Sequence, residues 1–257
     1  MKDYITYLKF DDLTVEELLL EYNEKIQKKE KFFTLTPNLD FLRISYRNDN
    51  FRNLINRADY SLIDGKPIIW LAKLCKKKQF KYKISGSDFA LNILELANQN
   101  GYKLALFGGK EGVPEKAKRY INDNYPNVQV VCTISPDFGY ENDVIKSEKY
   151  INELNDSNAD IYFLCTGTPK TELFFDSNKD EFGPGCYLSF GATIDFLAGN
   201  IKRAPKWMSN CGLEWLYRLS KDFKRLFLRY WFDFWFLLKI FFLIIFKSKR
   251  IINRREY

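Results

Sequence analysis

The sequence predicts an α/β fold, a mostly parallel sheet flanked by helices, with a helical appendage at its C-terminal side. Three observations carry that expectation. Short β-branched or aromatic runs alternate with longer segments of helical period, the pattern of strands joined by crossover helices. From about Pro205 onward no strand pattern recurs and helical segments follow one another. Charge is divided in the same way. Residues 202–257 hold 14 Lys/Arg against 4 Asp/Glu, a net of +10 in a chain of +7, so residues 1–201 carry −3. The expected division is therefore 1–204 as the α/β domain and 205–257 as a basic helical appendage.

Taken in order, the strand candidates are Phe32–Thr36, Ser61–Ile63, Tyr102–Phe107, Val128–Cys132, Ile161–Cys165 and Cys186–Phe190. Between them Val15–Ile26, Ser87–Asn98, Pro114–Asn124 and Asp143–Leu154 read as helices. Pro114 suits a first helical turn, where its missing N–H costs nothing, and Asn100-Gly101 suits a helix exit. This alternation is Rossmann-like. A chain of 257 residues with 46% apolar content can bury a full core.

Composition also excludes chemistry. There is no histidine, which removes Ser-His-Asp and Cys-His catalysis and histidine-ligated metals. A general base must then be a carboxylate, or less readily a lysine or tyrosine. The five cysteines, Cys75, Cys132, Cys165, Cys186 and Cys211, are odd in number and contain no C-x-x-C, so buried thiols in a reducing compartment are expected. The N-terminal residues carry early acids and no long apolar run, unlike a signal peptide.

In open α/β sheets ligands sit beyond the carboxyl ends of the strands. Three loops in that position carry polar groups. Thr36-Pro37-Asn38 offers a hydroxyl and an amide at a helix entrance, where they either cap or bind a sugar or base. Asp64-Gly65 places an acid directly after an apolar strand. It either caps the helix beginning near Lys66 or serves as a base whose pKa partial desolvation raises. Gly108-Gly109 leads into Val113-Pro114, where exposed backbone N–H groups suit an anion. Neither the P-loop nor the dinucleotide fingerprint is present, so a nicotinamide-dependent oxidoreductase has little support. No D-x-D occurs, so a diphosphate ligand would be neutralised by Arg, Lys and backbone donors, with no metal and no cofactor expected.

In the appendage Arg218, Arg225 and Arg229 are spaced 7 and 4, and at 100° per residue they fall within about 40° of one helix face. They either form a solvated face or cradle phosphate. The run Trp231–Phe246 would span about 24 Å as a helix, short of a ~30 Å hydrocarbon core, and Asp233 and Lys239 interrupt it. Aromatics flanked by Lys and Arg favour an anionic membrane surface over nucleic acid. The same apolar face also allows a homo-oligomer.

The ordered motifs T-P-N, D-G, G-S-D, F-G-G-K-x-G-V, G-T-P-K-T-E, D-F-L-A-G-N-I-K-R-A-P and G-L-E-W-L-Y-R closely resemble the WecG/TagA/CpsF glycosyltransferases over about Phe33 to Tyr230. The resemblance implies an inverting, metal-independent transfer of a sugar, such as N-acetylmannosamine or a related hexose, from a UDP-sugar to a polyprenyl-diphosphate-linked sugar. It implies work on the cytoplasmic face of the membrane, in teichoic acid, capsule or exopolysaccharide synthesis. By motif, Asp64 corresponds to the base that deprotonates the acceptor hydroxyl, and Thr36, counted with it as catalytic, and Asn38 match pocket residues near the acceptor or donor sugar. Lys83, Gly86 and Asp88 stand where the family has R-x-x-G-x-D. Gly108, Gly109, Thr168, Pro169 and Lys170 are implied nucleotide contacts. Glu172, Asp195 and Arg203 belong to the two later motifs, and Arg218, Arg225 and Arg229 match a basic appendage that closes over the site. Two positions depart from the pattern. Thr171 replaces the amide of P-K-Q-E, and Lys83 replaces an arginine whose bidentate fork a lysine cannot reproduce. A non-catalytic membrane partner retaining the fold is the rival reading.

Overall fold

The computed structural model describes residues 2–5, 7–74, 80–202, 204–205, 208, 214–221 and 223–246, with side chains from 7 onward except those of 225, 245 and 246. Six strands form one sheet: β3 (Lys31–Leu35), β4 (Tyr60–Ser61), β5 (Lys103–Gly108), β6 (Gln129–Ile134), β7 (Ile161–Cys165) and β8 (Gly185–Ser189). Their spatial order is β4-β3-β8-β7-β5-β6, and every adjacent pair is parallel. All six strand candidates are present, shifted by at most two residues at an end. The chain builds outward through β3 and β4, crosses to β5 and β6, then fills the gap with β7 and β8. The carboxyl ends of the strands therefore form one continuous edge.

A short antiparallel hairpin, β1 (Lys2–Ile5) with β2 (Leu8–Asp11), adjoins the β4 side and was not anticipated from the sequence. Its strands are four residues each, too short for a clear alternation. Asp11 bridges Leu62, and the Asp11 carboxylate accepts the Ser61 N–H at 2.8 Å.

Helices α1 (Val15–Gln27), α5 (Gly86–Asn100), α6 (Val113–Asn124) and α7 (Val144–Asp156) match the four helical readings. Thr14 and Glu17 close a capping box at the start of α1, and Gly101 ends α5 in the left-handed region at φ +69°. Shorter helices were missed, namely α2 (Leu39–Arg47), α3 (Asp49–Arg57), α8 (Lys170–Ser177) and α9 (Thr193–Leu197); α4 (Lys66–Leu74) begins where the Asp64-Gly65 turn implied.

Alternate strand residues feed two cores. Phe33, Leu35, Phe107, Leu164 and Tyr187 point to one face, under α2, α3, α4 and α8. Phe32, Leu104, Leu106, Phe163 and Leu188 point to the other, under α1, α5, α6 and α9. Cys132, Cys165 and Cys186 are free, and burial pushes the Cys165 thiol up to about 12. Cys75 and Cys211 lie outside the described residues.

Beyond 205 the described elements are helical: α10 (Glu214–Lys221) and α11 (Phe223–Phe246). The arginine stripe expected on one helix is thus divided between two, Arg218 on α10 and Arg229 on α11. Helix α11 is 24 residues long, half again the Trp231–Phe246 run. It packs on α2 and α4, sinking Phe236 and Ile240 into the first core. Its other side exposes Phe227, Trp231, Phe234, Trp235 and Phe242. Among the described residues no helix is long and apolar enough to cross a membrane.

Candidate active site

Three backbone hydrogen bonds knit the loops at the carboxyl edge. Leu62 N–H donates to Leu35 O at 2.8 Å, Asp64 N–H to Pro37 O at 3.1 Å, and Ile84 N–H to Ile63 O at 2.9 Å. The peptide leaving β4 is therefore held between the Thr36–Asn38 loop and the segment entering α5. Asp64 emerges from this seam half-buried. Burial is the largest influence on its carboxyl and pushes it up to about 6; Arg218 opposes, Glu214 adds, Lys83 opposes and Asp88 adds. Residues far apart in sequence thus converge electrostatically on Asp64, from the β4 turn, the approach to α5, and α10. A carboxylate with this pKa is ionised at neutral pH yet basic enough to accept a hydroxyl proton in a transition state.

Thr36 is buried, and its hydroxyl donates to Ser189 O at 3.3 Å. Gly86 lies against it. A Cβ there would stand 2.9 Å from Thr36 Oγ1 and 3.2 Å from the Phe190 ring, so glycine allows α5 to start flush with the pocket wall. Asn38 caps α2, its Oδ1 accepting the Asp40 N–H at 3.1 Å, and the same oxygen accepts from Arg229 Nη2 at 3.4 Å. Lys83 is half-buried and Asp88 exposed in the first turn of α5.

The second group lies at the ends of β5 and β7. Gly108, at φ +130°, approaches so closely that a Cβ would be 2.5 Å from the Cys165 carbonyl; Gly109, at φ +82°, packs on Val113. Both glycines are required by geometry whether or not an anion sits at the turn. Asp195 is half-buried on α9, and its charge reaches the Cys165 thiol. Arg218 spans the gap between the two groups. It is ion-paired with Glu214 at 2.6 Å, and its guanidinium carbon is 5.1 Å from the ring of Phe196, next to Asp195.

The third group follows β7. Thr168-Pro169 is a cis peptide. Lys170 Nζ is 3.5 Å from Glu141 and 3.9 Å from the Phe138 ring centroid, which draws it to the outer rim. Glu172 is fully buried, accepting from Ser189 Oγ at 2.6 Å, and burial pushes its carboxyl up to about 7 with Asp40 adding to the rise. Thr171 turns inward, its Oγ1 2.9 Å from Thr166 Oγ1 and accepting the Thr166 N–H at 3.2 Å. The departure from the family motif at this position thus reinforces the loop from beneath. Arg203 and the side chain of Arg225 lie outside the described residues.

Several charged residues at the site were not singled out from sequence: Asp40, Arg43, Glu214 and Asp233. Asp40 and Asp233 are each 5% exposed, and Arg43 pairs with both, Nε reaching Asp233 Oδ1 at 2.8 Å. Arg229 Nε stands 3.1 Å from Asp40 Oδ2 and 3.8 Å from Asp233 Oδ2. The advance signals were the i,i+3 spacing of Asp40 and Arg43 and the i,i+4 spacings of Glu214 and Arg218 and of Arg229 and Asp233. Among the described residues no cluster of three or more His, Cys, Asp or Glu could hold a metal ion.

The chain is 26% identical over 187 residues to an N-acetylglucosaminyldiphosphoundecaprenol N-acetyl-beta-D-mannosaminyltransferase of Bacillus subtilis (strain 168), covering 72% of this chain and 69% of that protein. It is 26% identical over 200 residues to a protein of the same description from Staphylococcus aureus (strain MW2), covering 78% and 76%. The family described as glycosyl transferase WecG/TagA/CpsF family matches residues 4–251, which takes in the sheet, the converging loops and both C-terminal helices. The chain belongs to the glycosyl transferase WecG/TagA/CpsF family.

Proposed function

We propose that this glycosyltransferase moves a sugar from a UDP-sugar, UDP-N-acetylmannosamine or a related hexose donor, to a polyprenyl-diphosphate-linked sugar, inverting the anomeric centre without a metal. The convergence of Lys83, Asp88, Glu214 and Arg218 on the half-buried Asp64 is the observation that carries this reading. The names of the Bacillus and Staphylococcus relatives support the acceptor class and a place in teichoic acid or related surface-polymer synthesis.

In the proposed step Asp64 accepts the proton of the acceptor hydroxyl as that oxygen forms its bond to the anomeric carbon. The bond from that carbon to the UDP oxygen breaks on the opposite face, and the electron pair leaves with UDP. Thr36, fixed beneath by Ser189 and Gly86, shapes the pocket wall beside the attacking group. Charge on the departing diphosphate is met by Arg218 and by the N–H groups of the Gly108-Gly109 turn at the entrance to α6. Asn38, Lys83, Asp88, the Thr168–Lys170 loop, Glu172, Asp195, Arg203 and Arg225 complete the proposed substrate-binding set. The absence of histidine and of D-x-D supports neutralisation by these donors. The aromatic side of α11, with Lys221 and Lys224 near its start, supports peripheral docking of residues 205–257 on an anionic inner leaflet.

The test is transfer from a panel of radiolabelled UDP-sugars to a polyprenyl-diphosphate-N-acetylglucosamine analogue, with EDTA and Asp64→Asn controls. Label moving from one donor, resistant to EDTA and lost in the variant, supports the reading. Full turnover by Asp64→Asn, or transfer abolished by EDTA and restored by added metal, refutes the base or the metal-free step respectively.

A further inference from the structure

The four charged groups beneath Asn38 are more than an attachment for α11. An apolar seam already docks that helix, since Phe236 and Ile240 are buried in the core and Phe236 packs edge-on to Tyr46 at 5.7 Å. Taking two carboxylates out of water is costly, and a buried ion pair adds little net stability over apolar packing. What such a cluster supplies is orientation. Asp40 on α2 and Asp233 on α11 both hold Arg43, so the two helices share one guanidinium. The same two carboxylates approach Arg229 on its Nε side, at 3.1 and 3.8 Å, as ion-pair contacts without a hydrogen bond from Nε among the described residues. A guanidinium is a rigid planar fork with five N–H donors. Fixing its Nε edge fixes where the Nη pair points, and Nη2 points to Asn38 Oδ1, 3.4 Å away, on the loop that carries Thr36.

We propose that Asp40 and Asp233 are positioning residues for sugar transfer: their charges draw in the Nε side of Arg229 so that its outer nitrogens face the Thr36–Asn38 loop and receive the diphosphate of the lipid-linked acceptor. The inference rests on the transferase reading above and adds the group that aims the arginine. The acceptor's diphosphate is the fitting anion because Arg229 lies on the helix whose other side carries the exposed aromatics, whereas Arg218 stands over Phe196 and is felt at Asp64. Arg43 has a supporting place, since it pairs with both carboxylates and offsets part of the repulsion between them.

The experiment is a double-mutant cycle on the full chain with the polyprenyl-diphosphate-N-acetylglucosamine analogue, pairing Asp40→Asn with Arg229→Gln. Asp40→Asn alone is expected to lower kcat/KM by about 10- to 100-fold, with the KM for the acceptor rising. In the Arg229→Gln background the same substitution is expected to change kcat/KM by less than about 2-fold, because the group it aims is gone. A fold defect behaves otherwise, lowering kcat at unchanged KM and persisting in both backgrounds. Asp233→Asn is run through the same cycle, so that an Asp40→Asn chain that does not fold still leaves a decisive measurement. Additive losses in both cycles, or a wild-type kcat/KM in both single carboxylate variants, overturn the positioning role while leaving the transferase reading intact. A wild-type chain that transfers no sugar from any donor overturns the transferase reading itself.

Discussion

Replacing Glu172 with glutamine removes a titrating proton from the middle of the molecule. Glu172 is fully buried; Oε1 accepts from Ser189, and Oε2 has no hydrogen-bond partner among the described residues. Burial first, then the Asp40 charge, lifts its carboxyl from 4.5 to about 7, with Ser189 holding it down in part. That rise corresponds to about 3 kcal/mol. Between pH 4.5 and 7 the folded chain keeps a proton that the unfolded chain has released, so stability falls as pH rises through this window and levels off above it. A glutamine side chain cannot ionise, so the variant lacks this fall. Its amide inherits the unpartnered position at a pH-independent cost of about 1–3 kcal/mol. The assay is urea unfolding of both proteins from about pH 5 to 8.5, a range chosen to bracket the folded-state titration. The stability of Glu172→Gln minus that of the wild type should climb by up to about 3 kcal/mol across the range, whatever its starting value. Asp233, also lifted, to about 6, titrates in both proteins and cancels in the difference. A flat difference would refute the reasoning, because Glu172 would then ionise as an exposed glutamate does.

Three further outcomes are expected. Asp64→Asn should lower transfer by about 10²- to 10⁴-fold; wild-type kcat/KM should rise with pH through about 6, as Asp64 ionises, and the variant should lose that limb in a pH–rate profile. Gly86→Ala should push on Thr36 and Phe190, costing about 1–3 kcal/mol in denaturation and lowering kcat through displacement of Thr36. Trp231→Ser and Trp235→Ser each remove a half-exposed ring, and each should weaken binding to phosphatidylglycerol vesicles on the order of 10-fold in co-sedimentation, with the melting temperature little changed.

The sheet was legible because its inner strands are buried on both faces and read as continuous apolar runs, as in Ile161–Cys165. The position of Asp64 was legible for the same reason, since the end of an apolar run fixes where a loop begins. Burial of charge was not. Asp40, Glu172 and Asp233 lie on helices, where the sequence pattern places a charged residue in solvent by default, and only tertiary contact, of Asp40 with Arg229, Glu172 with Ser189 and Asp233 with Arg43, reveals otherwise. Asp233 was read as an interruption of a membrane-seeking run, whereas in the fold it faces inward from that run. The single stripe of three arginines assumed one unbroken helical period, whereas Arg218 and Arg229 stand on separate helices. The glycines of the Gly108-Gly109 turn were read through a ligand, and the fold gives each a packing reason of its own.

The docking of α11 also has a consequence for the order of events during synthesis. The sheet is complete in sequence by Ser189, so its strands can assemble while residues 223–246 have yet to be made. Until then the sides of α2 and α4 that later hold Phe236 and Ile240 are without their cover, and Asp40 and Arg43 have no partner from that helix. The element that closes this apolar gap is the same one that presents the outward aromatics. Docking of residues 223–246 therefore covers the inner apolar surface and brings the outward aromatics onto the folded domain in one step.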